Sequence, residues 1–269
     1  MAKQKKILLA LFPIALILAA LRILVIKCNI EQDDVDSAVY FLKDNVFVTV
    51  FAVAFVVISV GFAVALALMA KGKKVRLNGI SHIETIVSLF SGFFMFGTAI
   101  AAVFLIISKS VSLEWHSLIT LVLLVVSTVY FFYSGSNSKC VCREKLMAVI
   151  AVAPILFTAS RLLSDFISRS SMPFASSGAY HIVGLCVLTL FFLSEGKMLC
   201  GNGNPSLLFL FGVLSVFCLT VYSLPCLVLH GFWMLSFDLT TIFCVVDLVL
   251  AVYIGARLWN AGLVSKEQE

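Results

Sequence analysis

Eight stretches of this 269-residue sequence are each apolar enough and long enough to cross a bilayer, at about 7–26, 46–70, 83–107, 115–134, 146–167, 179–199, 206–229 and 236–258. A helix needs roughly 20 mostly apolar residues to span the hydrocarbon core. Lipid offers no water to exposed backbone groups, so segments of this length predict helices. A membrane β-barrel would instead show alternating segments of about ten residues, and the sequence has none. Charged residues make up 12% of the chain, against roughly 25% in soluble domains. The expected fold is therefore all-α: a polytopic transmembrane helical bundle of eight spans, forming a single integral membrane domain over 1–269.

Basic residues set the expected orientation. Lys3, Lys5 and Lys6 precede span 1; Lys71, Lys73, Lys74 and Arg76 separate spans 2 and 3; Lys139, Arg143 and Lys145 separate spans 4 and 5; Lys197 ends span 6, and Arg257 and Lys266 flank the end of span 8. With eight spans all of these fall on one side, which the positive-inside rule makes cytoplasmic. The opposite side carries the acidic loop from Glu31 to Asp36. The expectation is a multi-pass protein of the cell membrane with both termini in the cytoplasm. The basic start and first apolar run resemble a signal peptide, but the run is long and no small-x-small cleavage site follows, so it is expected to stay as span 1. The same clustering beside apolar segments accounts for the net charge of +5 without a nucleic-acid partner. The partners expected are the lipid bilayer and either a small solute or ion or another membrane protein.

A faint internal likeness suggests two tandem halves, 1–138 and 139–269. Spans 1 and 5 each carry a proline followed by an arginine, Pro13 with Arg22 and Pro154 with Arg161. Spans 2 and 6 end in Gly72-Lys73 and Gly196-Lys197, and spans 4 and 8 contain Tyr130 and Tyr253 in similar surroundings. Four spans per half would place both halves the same way up, with a site between them. Pro13, Pro154 and Pro225 are expected to kink spans 1, 5 and 7. Gly92, Gly97, Ala101 and Ala102 are expected to let span 3 pack closely.

Charges at depth are costly and mark functional sites in membrane proteins. Asp247 is the deepest, about ten residues or ~15 Å of helix from Arg257. Arg161 and Asp165, four apart on span 5, share a helix face. They read as a local pair, or as Arg161 reaching across to Asp247. Arg22 lies at a matching depth in span 1 and is expected to snorkel to the surface. Asp247, Arg161, Asp165 and Arg22 are the candidate intramembrane polar site. Glu84, Glu195 and Asp238 read as solvated rim residues, and His181 as a hydrogen-bonded packing residue.

No catalytic residues, cofactor or metal site are expected. Walker A, H-E-x-x-H and G-x-S-x-G sequences do not occur. Cys140 and Cys142 lack further ligands at suitable spacing. The function expected is a transporter or permease-like role for a small solute or ion. The alternative is a non-catalytic scaffold, sensor or subunit of a larger membrane complex.

Overall fold

The computed structural model describes residues 2–29, 46–71, 74–76, 82–107, 115–136, 146–147, 149–170, 176–232 and 239–264. The acidic loop from Glu31 to Asp36, the Cys140 and Cys142 pair, Trp233 and Asp238 lie outside them. Eight helices account for nearly all of the described chain: α1 (Ala2–Asn29), α2 (Val46–Ala70), α3 (His82–Ile107), α4 (Trp115–Gly135), α5 (Val152–Ser170), α6 (Ser176–Leu199), α7 (Pro205–Phe232) and α8 (Leu239–Asn260). The only strands among the described residues are β1 (Lys74–Arg76) and β2 (Gly262–Val264), which pair antiparallel as a short ribbon.

Seven of the eight helices are long and apolar enough to cross a membrane. The exception is α5, at 19 residues with Arg161, Asp165 and Arg169. It nevertheless packs between α4 and α6. It also begins later than expected. Residues 146, 147, 149 and 150 are helical and Ala151 is a turn, so the helical path is interrupted just before α5, and Pro154 stands in the first turn after that break. The break at Ala151, three residues before Pro154, lies between helical residues, whereas Pro13 and Pro225 lie inside the continuous helices α1 and α7.

The helices alternate strictly in direction. The ribbon joins the C-terminal ends of α2 and α8. Lys5 of α1 lies over the Trp259 ring, Glu84 of α3 meets Arg257, Ala151 lies against Gly196 near the end of α6, and Gly212 near the start of α7 lies against Leu258. Both ends of the described chain thus sit at the ribbon end of the bundle.

Burial follows helical periodicity. On α1 the buried positions are Leu8, Leu11, Ala15, Leu18, Ala19, Arg22 and Ile26, one stripe at spacings of three and four. On α3, Gly92, Met95, Ala99 and Ala102 face inward, with Gly92 against Phe132 of α4. Gly97 and Ala101 fall on the opposite, exposed face, so of the four small residues expected to pack only Gly92 and Ala102 do. The centre belongs to α7 and α8, whose apolar stretches are 72% and 78% buried, against 28% in α2. Of the likenesses between the two halves, one becomes a contact: the Tyr130 and Tyr253 hydroxyls, 123 residues apart, lie 3.3 Å from each other.

Candidate functional site

Three of the helices, α5, α6 and α8, bring charged groups together between the centre and the end remote from the ribbon, and α7 adds a hydroxyl. Arg161 lies on the inward stripe of α5 with Pro154, Phe157 and Thr158. Its guanidinium grips Asp247 of α8 with both nitrogens, Nη1 to Oδ1 at 2.5 Å and Nη2 to Oδ2 at 3.1 Å. Such a bidentate pair is among the strongest side-chain contacts. Asp247 is completely buried, and its Oδ2 also accepts from Ser223 of α7 at 3.3 Å and lies 3.0 Å from His181 Nε2. Asp165, one turn beyond Arg161, meets the other ring nitrogen, His181 Nδ1. His181 is therefore held between two carboxylates from two different helices. Its ring stacks on Tyr222 with centroids 4.2 Å apart.

Arg22 adjoins this cluster from α1. Its guanidinium carbon lies 4.2 Å from the centre of the Tyr180 ring and 5.8 Å from that of Tyr222, and Nη1 donates to the Val221 carbonyl at 2.9 Å. It is 3% exposed, so it does not snorkel. A carbonyl and two aromatic faces give it an interior alternative, cation–π attraction being strongest where water is excluded.

The sequence-derived candidates thus occupy one region. Of the two readings of Arg161, the structure has the reach across to Asp247, and Asp165 lies at His181 rather than serving only as a local partner. His181, read as a packing residue, is the joint of the cluster. The signal for it was its register: His181, Leu185, Leu188, Phe192 and Glu195 form one buried stripe on α6.

The chemistry follows from the proton count. A neutral imidazole has a single N–H, so it cannot donate to two carboxylates at once. Both contacts are hydrogen bonds when the ring is doubly protonated or when one carboxyl carries the proton. Within the hydrogen-bonded set, Arg161 offsets one of the two carboxylates and a proton on His181 would offset the other, while Arg22 beside them adds a further buried positive charge. Asp165 has 26% side-chain exposure and Asp247 none, so the chain Asp165–His181–Asp247 runs from the rim of the cluster inward.

A second group of charges occupies the ribbon end. Glu84 and Glu195 are 2% and 0% exposed, not solvated as expected from their places near helix ends, because Arg257 lies between them. Among the described residues no group of three His, Cys, Asp or Glu is placed to hold a metal ion.

Comparison with known proteins gave no match to a family model, to a curated protein or to a solved structure.

Proposed function

We propose that this multispanning membrane protein is a proton-coupled transporter of a small solute or ion. In this reading the Asp165–His181–Asp247–Arg161 cluster is its coupling site, and Arg22 is an adjoining positive group. The observation that carries the reading is His181 held between two carboxylates inside the bundle. Arg161 alone would neutralise Asp247 if stability were the whole purpose. The extra acid and the histidine add one exchangeable proton, and chains of acidic groups and histidine inside membranes serve as proton relays. The membrane is the cell membrane, with the ribbon end and both termini cytoplasmic, as the positive-inside rule orients them. The cluster then lies in the outer half.

The test uses protons as the probe. Proteoliposomes adsorbed to a solid-supported membrane are given a pH jump, and the charge displaced is recorded. The wild type is expected to give a transient current that His181→Gln and Asp165→Asn largely remove. An unchanged current in both variants would sink the proposal.

A second reading is a subunit of a larger membrane complex. It is favoured by five exposed phenylalanines on α3: Phe90, Phe93, Phe94, Phe96 and Phe104. A folded wild-type protein that displaces no charge on a pH jump would favour that reading.

A further inference from the structure

At the ribbon end, helices α3, α4, α6 and α8 enclose a second ionisable cluster that the coupling site does not use. Arg257 of α8 sends Nη1 to Glu84 of α3 and Nε to Oε1 of Glu195 on α6, the latter at 2.5 Å. The Tyr253 hydroxyl lies 3.3 Å from Glu195 Oε1 and 3.3 Å from the Tyr130 hydroxyl of α4. Tyr130, Tyr253 and Glu195 are 0–1% exposed. Phe131 and Phe192 pack edge-on and stacked against the Tyr253 ring, which closes the side toward the bundle centre. The other oxygen of Glu195, Oε2, is buried with no hydrogen-bond partner.

Those contacts leave an imbalance. Among the described side chains one guanidinium faces two carboxylates, and their sum is one negative charge. The helices flanking α6 do not correct it. The first nine residues of α5, Val152 to Ser160, and the first ten of α7, Pro205 to Leu214, contain no ionisable side chain. On α6 itself, Lys197 follows Glu195 by two residues and therefore points away from it. A metal cation is a poor fit, because Arg257 already fills the space between the acids and would repel it. A proton fits: it is the smallest positive ligand, it removes the net charge, and Oε2 is an open place to carry it. A carboxylate oxygen buried without a partner is costly when ionised, and far less so in the acid form.

We infer that the Glu84–Arg257–Glu195 cluster is a second proton-binding site, with Glu195 as the acceptor and Arg257 holding both acids. It is separate from the coupling site proposed above and does not depend on it. The two are linked only through α6, which carries His181 and Glu195, and α8, which carries Asp247 and Arg257.

Infrared spectra of the reconstituted full chain, taken across a pH series in water and in deuterium oxide, read protonated buried carboxyl groups directly. The wild type is expected to show a carboxylic-acid carbonyl band that Glu195→Gln abolishes. Glu84→Gln is expected to abolish it too, because one acid then balances Arg257. Tyr253→Phe, which removes the hydroxyl that meets both Glu195 Oε1 and the Tyr130 hydroxyl, is expected to keep the band and shift its frequency. Asp247→Asn and His181→Gln are expected to leave it in place, so the test stands even where the coupling site fails. The inference is overturned if Glu195→Gln removes no carboxylic-acid band from the wild-type spectrum. It is overturned equally by a band that Tyr253→Phe leaves unmoved, a comparison that holds should Glu195→Gln not fold.

Discussion

At Arg161 and Asp247 the arithmetic of charge predicts unequal effects from removing either member of one pair. Asp247→Asn leaves Arg161 with Asp165, a balanced set. Arg161→Gln leaves two carboxylates and a histidine, which one proton no longer neutralises. Breaking a buried pair from one side costs about 3–5 kcal/mol in general. Arg161→Gln is expected near the top of that range and Asp247→Asn below it. The double variant is expected to lose less than the two single losses combined, because the partners share one contact. Thermal unfolding in detergent checks this, and additive losses would show that the pair is not coupled.

The same scale shows how far single residues could be read from sequence. Asp247 stood out because the other charges of its span, Asp238 and Arg257, lie at its ends. Glu195 and Glu84 did not, because a charge near a span end has water as its default partner. Burial of Glu195 was implied by its phase on the stripe of α6, but Arg257 as its partner was not, since that pairing depends on how α6 and α8 lie together. Arg22 was misread for a related reason. Its phase on the α1 stripe marks it as inward, yet its acceptor is a backbone carbonyl 199 residues away, and a carbonyl leaves no trace in composition.

Among the elements, α7 and α8 hold the bundle together through close approaches at small residues. A Cβ on Gly212 of α7 would come 2.9 Å from Leu258 of α8 and 3.2 Å from Phe191 of α6, and one on Gly184 of α6 would come 3.2 Å from Cys218 of α7. Phe12 of α1 fills the space beside Gly255 of α8. Gly212→Leu is therefore expected to destabilise by about 1–3 kcal/mol, the usual cost of overpacking. Gly61 of α2 has nothing within 4 Å of its would-be Cβ. Gly61→Ala should leave the melting temperature unchanged or slightly raised, since alanine favours a helix by roughly 1 kcal/mol over glycine. Equal losses in both variants would argue against the central place of α7. The extents of α2, α3 and α4 were legible because apolar runs there end at charge or turn residues. The break at Ala151 was not, because the residues before it are as apolar as the helix that follows, and hydropathy does not distinguish a continuous helix from one interrupted by a single turn.

For the whole molecule, eight alternating helices put Cys28, after most of α1, and Cys200, just past α6, at opposite ends, and both are exposed. In single-cysteine variants, a membrane-impermeant maleimide applied to intact cells is expected to label Cys28, and to label Cys200 only after the membrane is opened. The reverse pattern would invert the proposed orientation. The parity behind this was legible from basic clusters alone, because eight spans are needed to put them on one side. The relation between the halves was less so. Tyr130 and Tyr253 do meet, yet α7 and α8 are central while α3 and α4 are more exposed, and sequence likeness is blind to that difference in depth.

One consequence follows from which helices carry the charges. His181 and Glu195 ride on α6, fourteen residues or about 21 Å apart, and Asp247 and Arg257 ride on α8, about 15 Å apart. Each helix is a stiff rod gripped near both ends. A slide of one rod along the other strains both grips at once. A tilt about a point between them loosens one grip while it tightens the other, so the two helices are built as the beam of a balance.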